Sequence, residues 1–420
     1  MKRFALPLLV TLFVMLIGVT SAQEEGTVIT MWHVATDGDS FGPVLQPAIE
    51  AFNERRSDFT IVATEIDNDP FKTQFQIASS AGEQPDVFQT WGGGGLKAFA
   101  DAGIAAPIPE LAGETLFIPG ALAASTFDGQ NYAFPMKLAA VVLWTNDALF
   151  EEYAVEIPET WDQFLAACEA FSEAGIVPMA MGNADRWPGS HWYSYVLTRL
   201  GGPEPFLAAL NREIPFNAPV FIEAGERIQE AVNAGCFNEG FNGTSNEDAQ
   251  AIMGLGMAGM RLMGNWDLGG LRDIDADLVY NSFSIRSFPV FEGADGLATE
   301  VIGGVGQSLG ISTRAPEGTG AAILDLVGTE EFGRAVAANG DLPALRGFDD
   351  LIEDPIGQQV AALLGEATYL QLYYDQFLPP ALAEAHLDTV QGLFGLTLTP
   401  QEAADIMERT AVEQLGAVTE

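Results

Sequence analysis

Strand-like and helix-like segments alternate over residues 27–90, and this alternation restricts the fold more than any other feature of the sequence. The strand-like segments are residues 27–33, 59–65 and 86–90, and helical spacing of apolar residues marks residues 44–56 and 70–82. A β-α-β-α-β succession predicts a parallel sheet with right-handed crossovers. The expected fold class is therefore α/β.

A loop follows each of these three predicted strands. The loops run from Trp32 to Asp39, from Glu65 to Pro70 and from Trp91 to Gly95, and they carry aromatic, polar or glycine residues. Parallel α/β sheets bind ligands at the carboxyl ends of their strands. We therefore expect a binding site at the sheet edge where these loops meet.

A second α/β region follows the first. Its predicted elements are a helix capped by Thr160 and ended by Gly175, a strand over 176–181 leading into the loop 182–192, a helix over 219–234, and strands over 257–263 and 300–313. A single hydrophobic core rarely exceeds about 250–300 residues, so a chain of 420 residues predicts two lobes. No low-complexity linker separates them, which predicts several crossings between the lobes.

The N-terminal segment has the layout of a secretory signal. Met1-Lys2-Arg3 is basic, an apolar run continues to Val19, and small residues at 20–22 offer a cleavage site. The alternative, a membrane anchor, needs about 20 apolar residues, and this run is shorter. We expect residues 1–22 to be removed and the protein to be exported to the periplasm or the cell exterior. A lipid anchor is not expected, because no cysteine lies near the cleavage site.

The formal charge of −40 limits the classes of partner. Such a charge opposes binding to nucleic acid and to anionic membranes, and it disfavours strongly anionic ligands. A neutral or cationic ligand fits better. The alternative interpretation is that the acidic residues only keep an exported protein soluble.

Two cysteines, Cys168 and Cys236, are the candidates for a disulfide. An exported protein retains such a bond. The alternative is a pair of buried free thiols.

Aromatic and polar residues concentrate at the predicted strand ends. Sugars present C–H groups to aromatic faces and hydroxyl groups to hydrogen-bonding side chains. The tryptophans just past strands are Trp32, Trp91, Trp187 and Trp266. The accompanying polar residues are His33, Asp37, Glu65, Asn183, His191, Asn265 and Asp267. This combination predicts a sugar site, whereas core packing is the alternative for any single tryptophan.

Other chemistries have weaker support. Gly92–Gly95 lacks the Gly-Lys-Ser/Thr ending of a phosphate-binding loop, and the three histidines lack metal-ligand spacing. Tyr373-Tyr374 allows a ferric-ion pocket, but aromatic residues near a cleft explain the pair equally well. No Gly-x-Ser-x-Gly motif is present, and carboxylate pairs are too common here to single out a glycosidase dyad. We expect no cofactor, no metal and no enzymatic activity.

The chain resembles the family 1 extracellular solute-binding proteins, the carbohydrate group related to maltose-binding protein. No single motif decides this resemblance, which depends on the order and spacing of several along most of the chain. The matching segments are residues 30–33, 85–87, 132–135, 142–150, 158–161, 259–266, 303–304 and 399–403.

The resemblance implies a type II periplasmic-binding-protein fold, with a ligand cleft between two lobes and a hinge of three crossings. The crossings are expected near Pro135–Ala140, Ile302–Gly304 and Gly340–Leu345. One lobe would then contain residues 23–136 with about 302–342. The other would contain residues 137–301 with about 343–420.

The resemblance also implies contact positions in the cleft. Trp266 matches a ligand-stacking tryptophan, and the residues around Trp91 match a contact loop. The further positions implied are Lys137, Asn183, Trp187, Gly303, Gly304, Tyr374 and Asp375. Ala139 stands where maltodextrin-binding relatives carry acids, so the resemblance leaves the sugar open.

The implied function is the substrate-binding component of an ABC importer. The protein would be a monomer that captures a mono- or oligosaccharide by hinge closure and delivers it to transmembrane permease subunits. Two alternatives remain. One is a binder of a polyamine or other cationic solute, and the other is a secreted glycoside hydrolase.

Overall fold

The computed structural model describes residues 26–36, 41–111 and 115–418. The signal segment predicted over residues 1–22 and the candidate Asp37 lie outside these ranges. In the described ranges, none of the helices has the length and apolar character needed to cross a membrane.

Strands and helices alternate through most of the chain. The strands are β1 (Thr27–His33), β2 (Phe59–Glu65), β3 (Val87–Thr90), β4 (Thr126–Phe127), β5 (Gln130–Asn131), β6 (Ala133–Asn146), β7 (Val177–Met179), β8 (Ala258–Gly264), β9 (Phe283–Arg286), β10 (Glu300–Ile311), β11 (Leu342–Pro343) and β12 (Tyr369–Gln371). The α-helices are α1 (Gly42–Arg55), α2 (Asn68–Ala81), α3 (Gly93–Asp101), α4 (Pro119–Ala123), α5 (Asp147–Glu152), α6 (Trp161–Ala174), α7 (Trp187–Gly201), α8 (Glu204–Leu210), α9 (Pro219–Asn233), α10 (Asn246–Gly254), α11 (Asp267–Ser282), α12 (Thr319–Val327), α13 (Glu330–Ala338), α14 (Pro355–Gly365), α15 (Tyr374–Phe377), α16 (Pro380–Phe394) and α17 (Pro400–Leu415).

The predicted β-α-β-α-β unit is confirmed. β1 lies between β2 and β3 and pairs with both in parallel. The main sheet has the strand order β2-β1-β3-β10-β6-β8-β7. It is mixed, because β10 runs antiparallel to both β3 and β6. The crossover rule fixes the relative direction of β1, β2 and β3, because they follow one another in the chain. β10 enters the sheet from a distant part of the chain, so this rule does not fix its direction.

Three chain segments lie side by side at the middle of the sheet. β6 pairs with β10 through residues 133–140 and with β8 and β9 through residues 141–146. β11 pairs with the same part of β6, with Leu342 opposite Leu138. A side chain at Gly303 would bring its Cβ to 2.6 Å from the carbonyl oxygen of Ala139, so only glycine allows this approach of β10 to β6.

Separate hydrophobic cores lie on either side of these segments. One contains Phe41, Phe52, Phe134 and Leu309, and α1 and α13 contribute to it. Another contains Phe171, Trp192, Phe288 and Phe394, among the buried residues of α6, α7 and α16. These are the two largest hydrophobic cores among the described residues, which agrees with the two lobes that the chain length predicts.

A disulfide lies within the core that contains Phe171 and Trp192. The sulfurs of Cys168 and Cys236 are joined, and their Cα atoms are 4.9 Å apart. Cys168 lies on α6 and Cys236 follows α9, and both are fully buried. A bond across 68 residues is worth about 4 kcal/mol in the chain-entropy model.

Candidate functional site

A cleft of about 670 Å³ is lined by residues from the strand-end loops of the first part of the chain and from helices of the second part. This volume lies within the usual range of ligand sites. Val34 and Thr36 follow β1, residues 67–70 follow β2, and Trp91 follows β3, so the three loops at the strand ends form one wall. The residues of the opposite side come from the start of α7, the start of α10, the β8–α11 turn and α15. They are Asp185, Trp187, His191, Asn246, Glu247, Gln250, Trp266, Asp267, Gly270, Tyr373, Asp375 and Gln376.

Four rings line one side of this cleft, and we call them the aromatic wall: Trp187, His191, Trp266 and Tyr373. The ring centroids of Trp187 and Trp266 are 6.3 Å apart, and those of Trp266 and Tyr373 are 6.1 Å apart. Trp91 lies on the other wall, where the Lys72 ammonium is 5.4 Å from the centre of its ring. Aromatic rings therefore line both sides of the cleft.

A neighbouring glycine and a buried ion pair hold Trp266 in position. Its ring lies so close to Gly264 that an added Cβ would be 2.2 Å from it. The next residue, Asp267, is fully buried and accepts hydrogen bonds from Arg261 and, at 3.0 Å, from Gln250. Arg261 also donates to the Asn246 side chain at 2.7 Å. The guanidinium thus joins the Trp266 turn to the start of α10.

Asn183 stabilises the turn before Trp187, the first residue of α7. Its side chain is fully buried, accepts a hydrogen bond from the Gly189 backbone at 2.9 Å and donates to Asn242 at 2.6 Å. These bonds fix the turn that leads into α7. The amide is therefore engaged within the protein, and Asn183 does not line the cleft.

Lys137 lines the cleft but is already paired. Its ammonium is 2.9 Å from the Asp341 carboxylate, and the two side chains are 1% and 5% exposed. The same ammonium is 4.6 Å from the centre of the Phe41 ring. The pair links β6 to the turn before β11, within the segments that cross between the halves.

The structure brings seven of the sequence-predicted residues together in the cleft: Trp91, Lys137, Trp187, His191, Trp266, Asp267 and Asp375. Their elements lie far apart in the chain. What they share in sequence is a position at or just after a strand end, or in a segment that the family resemblance marks.

Other predicted residues lie elsewhere. His33 is fully buried, and Trp32 packs on the core around Phe71 and Phe88. Glu65 is exposed and accepts a hydrogen bond from Gln46, so it belongs to the outer surface. None of these three residues lines the cleft.

Four further predicted residues, Asn265, Tyr374, Gly303 and Gly304, lie within the protein and not in the lining of the cleft. Asn265 is buried and accepts a hydrogen bond from the Ala140 backbone at 3.0 Å. Tyr374 stacks on Phe206 at 3.8 Å between ring centroids and is buried. Gly303 and Gly304 pair with β6, and their neighbour Gly306 lines the cleft instead.

Several polar residues of the cleft were not among the predicted ones. They are Asp67, Asn68, Asp69, Lys72, Asp185, Asn246, Glu247, Gln250, Tyr373, Gln307 and Gln376. The first three lie in or just after the loop that follows β2, which the strand-end argument had already marked. No comparable signal preceded α10, whose nine residues are too few for a clear helical period.

Acidic groups outnumber basic groups in the lining of the cleft. Six carboxylates and two ammonium groups belong to it. Burial raises the pKa of Asp69 to about 6; Lys72 opposes this change, and the carboxylates of Asp185 and Glu247 add to it. Burial also lowers the pKa of His191 to about 3, which keeps its imidazole neutral at pH 7. In the ranges that the structure describes, no group of three or more His, Cys, Asp or Glu residues could hold a metal ion.

Comparison with known proteins gives consistent matches. A family model described as bacterial extracellular solute-binding protein matches residues 35–331. An uncharacterized ABC transporter extracellular-binding protein of Pyrococcus horikoshii is 28% identical over 47% of this chain and 46% of its own length. A probable sugar-binding periplasmic protein of Mesorhizobium japonicum is 26% identical over 48% of this chain and 49% of its own. The chain thus spans about half the length of these curated relatives.

A solved structure from work on xylan utilization by Caldanaerobius polysaccharolyticus superposes with a TM-score of 0.84. It is 29% identical and covers 91% of this chain and 99% of its own. The fold is therefore the two-lobed type II periplasmic-binding-protein fold that the sequence predicts.

Proposed function

This chain belongs to the bacterial extracellular solute-binding protein family, whose members are binding components of transporters rather than enzymes, and on that premise we propose that it captures a mono- or oligosaccharide for an ABC importer. The observation that carries the proposal is the composition of the cleft. Tryptophan faces stand on both walls, and polar side chains lie between them. Sugars need both kinds of surface.

Unpartnered polar atoms support a hydroxyl-rich ligand. Trp187 Nε1, His191 Nδ1 and Asp375 Oδ1 are buried, and none has a hydrogen-bond partner among the described residues. A buried polar atom without a partner costs about 1–3 kcal/mol. Sugar hydroxyls donate and accept, so one ligand offers partners to all three atoms. A ligand of the wrong stereochemistry would leave some unpaired, which is the basis we propose for selectivity.

Hinge closure is the mechanism that we propose for capture. We assign residues 23–136 with about 302–342 to one lobe, and residues 137–301 with about 343–420 to the other. The antiparallel pairing of β6 with β10 and β11 provides a narrow set of strands about which the lobes would rotate. Contacts made to both lobes at once favour the closed form, because only differential affinity shifts a population.

The relatives support the remaining parts of the proposal. One is a probable sugar-binding periplasmic protein and another an ABC transporter extracellular-binding protein, which supports a sugar ligand and permease partners for this chain. We propose an exported monomer that passes its ligand to the permease unchanged. No group in the cleft is required to break a bond.

The test is calorimetric titration of the purified protein with mono- and oligosaccharides, with amino acids and polyamines as controls. We expect a neutral saccharide to bind, with an affinity that changes little with salt. Failure of every saccharide in the panel to bind would refute the proposal.

A variant tests the aromatic wall directly. Trp266→Ala should lower the affinity for the bound saccharide by about 1–3 kcal/mol, by analogy with base–aromatic stacking. Tyr153→Ala is the matched control, because Tyr153 is an aromatic residue that is 38% exposed and lies outside the cleft. Equal affinities of the two variants would exclude Trp266 from the site.

A further inference from the structure

The carboxylates of the cleft outnumber the cations that could neutralise them. Two of the six are compensated, since Asp267 pairs with the buried Arg261 and Asp69 lies 4.0 Å from Lys72. The other four, Asp67, Asp185, Glu247 and Asp375, form no ion pair with any described residue. Lys137, the second ammonium of the cleft, is already paired with Asp341. A concave site lined by one sign of charge concentrates ligands of the opposite sign.

Two buried atoms show that this charge is directed at a ligand rather than only at solvent. His191 is 4% exposed, lines the cleft, and its Nδ1 has no partner among the described residues. Asp375 Oδ1 is also buried without a partner, whereas its Oδ2 accepts a hydrogen bond from Gln376 at 2.8 Å. A carboxylate oxygen accepts hydrogen bonds, and a neutral imidazole accepts one at the ring nitrogen that carries no proton. Together they fit a group that donates several.

The aromatic wall favours the same group. A cation within about 6 Å of a tryptophan or tyrosine face is attracted by the ring electrons, and cages of such rings bind ammonium groups. The ring centroid of Trp266 is 6.3 Å from that of Trp187 and 6.1 Å from that of Tyr373. On the opposite wall, the Lys72 ammonium already makes this contact with Trp91.

We propose that the saccharide bound by this cleft carries a protonated amino group, which Asp375 and the acidic residues Asp185 and Glu247 receive beside the aromatic wall. This inference rests on the proposed function and narrows its substrate class to amino sugars. An ammonium has three donors and no acceptor, which suits the carboxylate of Asp375, while the unpartnered N–H of Trp187 needs an acceptor such as a hydroxyl of the same sugar. A neutral hydroxyl would satisfy one acceptor and leave the charge of the cleft uncompensated.

Matched sugars provide the test. Glucose, glucosamine and N-acetylglucosamine differ only in the substituent at C2. Cellotriose, the chitosan trimer and the chitin trimer differ in the same substituent on each of their residues, and the galactose series varies the stereochemistry. We expect the amine to bind at least about fivefold more tightly than both its hydroxyl and its acetyl counterparts at pH 7. The advantage should shrink as salt is added and as the pH rises far enough to deprotonate the amine.

Variants of the cleft carboxylates test whether these groups cause the preference for the amino sugar. Asp375→Asn and Asp185→Asn should each reduce the ratio of the affinity for the amino sugar to the affinity for its hydroxyl counterpart. Because both affinities are measured on the same variant, a loss of affinity common to both sugars cancels in this ratio. Glu247→Gln serves where an interior variant fails to fold, because that side chain is exposed. Asp273→Asn, an exposed position outside the cleft, should leave the ratio unchanged.

The outcomes separate this inference from the proposed function. If neutral sugars bind as tightly as their amines, the inference is overturned and the proposed function stands. The inference is equally overturned if an amine preference survives unchanged in all three cleft variants. If no saccharide of any series binds, both fall, whether or not a polyamine binds.

Discussion

Replacing Lys137 by methionine should destabilise the protein by about 3–5 kcal/mol, because the change leaves a buried carboxylate without its cation. The Lys137 ammonium is 2.9 Å from Asp341, and neither side chain is more than 5% exposed. Asp341 would retain one hydrogen bond, donated by Asn339 at 2.6 Å, but no opposite charge. Against a typical free energy of unfolding of about 5–15 kcal/mol, this loss is easily measured.

The double variant Lys137→Met/Asp341→Leu separates the buried charge from other effects. An apolar pair of similar volume often replaces a buried ion pair without loss, so the double variant should be close to the parent protein. Urea denaturation of the parent, both single variants and the double variant gives the coupling energy. Lys97→Met is the matched control, since the Lys97–Asp101 pair has the same composition at 2.8 Å but is 44% and 64% exposed. It should cost less than about 1 kcal/mol.

The same variants decide whether Lys137 contacts the ligand. If its role is to hold β6 to the turn before β11, the stable double variant should bind saccharide nearly as well as the parent. A single variant that is no less stable than the double one would refute the reasoning from burial. A stable double variant that has lost its affinity would instead return Lys137 to the ligand contacts.

Three further predictions concern the supports of the site. Replacing Cys168 and Cys236 together by alanine should remove about 4 kcal/mol, and a reductant should then lower the urea midpoint of the parent but not of the variant. Arg261→Met, which leaves Asp267 buried and unpaired, should cost about 3–5 kcal/mol in urea denaturation and weaken saccharide binding in calorimetry through the Trp266 turn. Burial lowers the pKa of His386 from 6.5 to about 4, so its neutral form stabilises the fold above pH 6.5 and this contribution is lost as the pH falls towards 4. His386→Gln should therefore make the fall in stability over that interval shallower by about 1.4 kcal/mol per pH unit, and equal slopes would contradict the assignment.

Local periodicity was sufficient to predict the parts of the fold in which each element depends on its neighbours in sequence. β1, β2 and β3 with α1 and α2 form such a unit, and their predicted and observed bounds differ by two residues or fewer. The direction of β10 could not be read in this way. It depends on the path of the chain through the second half of the molecule, and sequence spacing carries no information about that path.

Residue type alone could not separate the residues that face a ligand from those that hold the walls in place, because both roles use the same chemistry. Asp267 and Asp375 are both aspartates of the cleft, and both were predicted as contacts. Arg261 and Gln250 engage the carboxylate of Asp267, whereas one oxygen of Asp375 is buried without a partner. Since a buried polar group without a partner is costly, the unengaged oxygen is the one that a ligand must satisfy. The same criterion assigns Asn183 to the support of the walls and His191 to the ligand, and only the folded structure supplies the partners on which it depends.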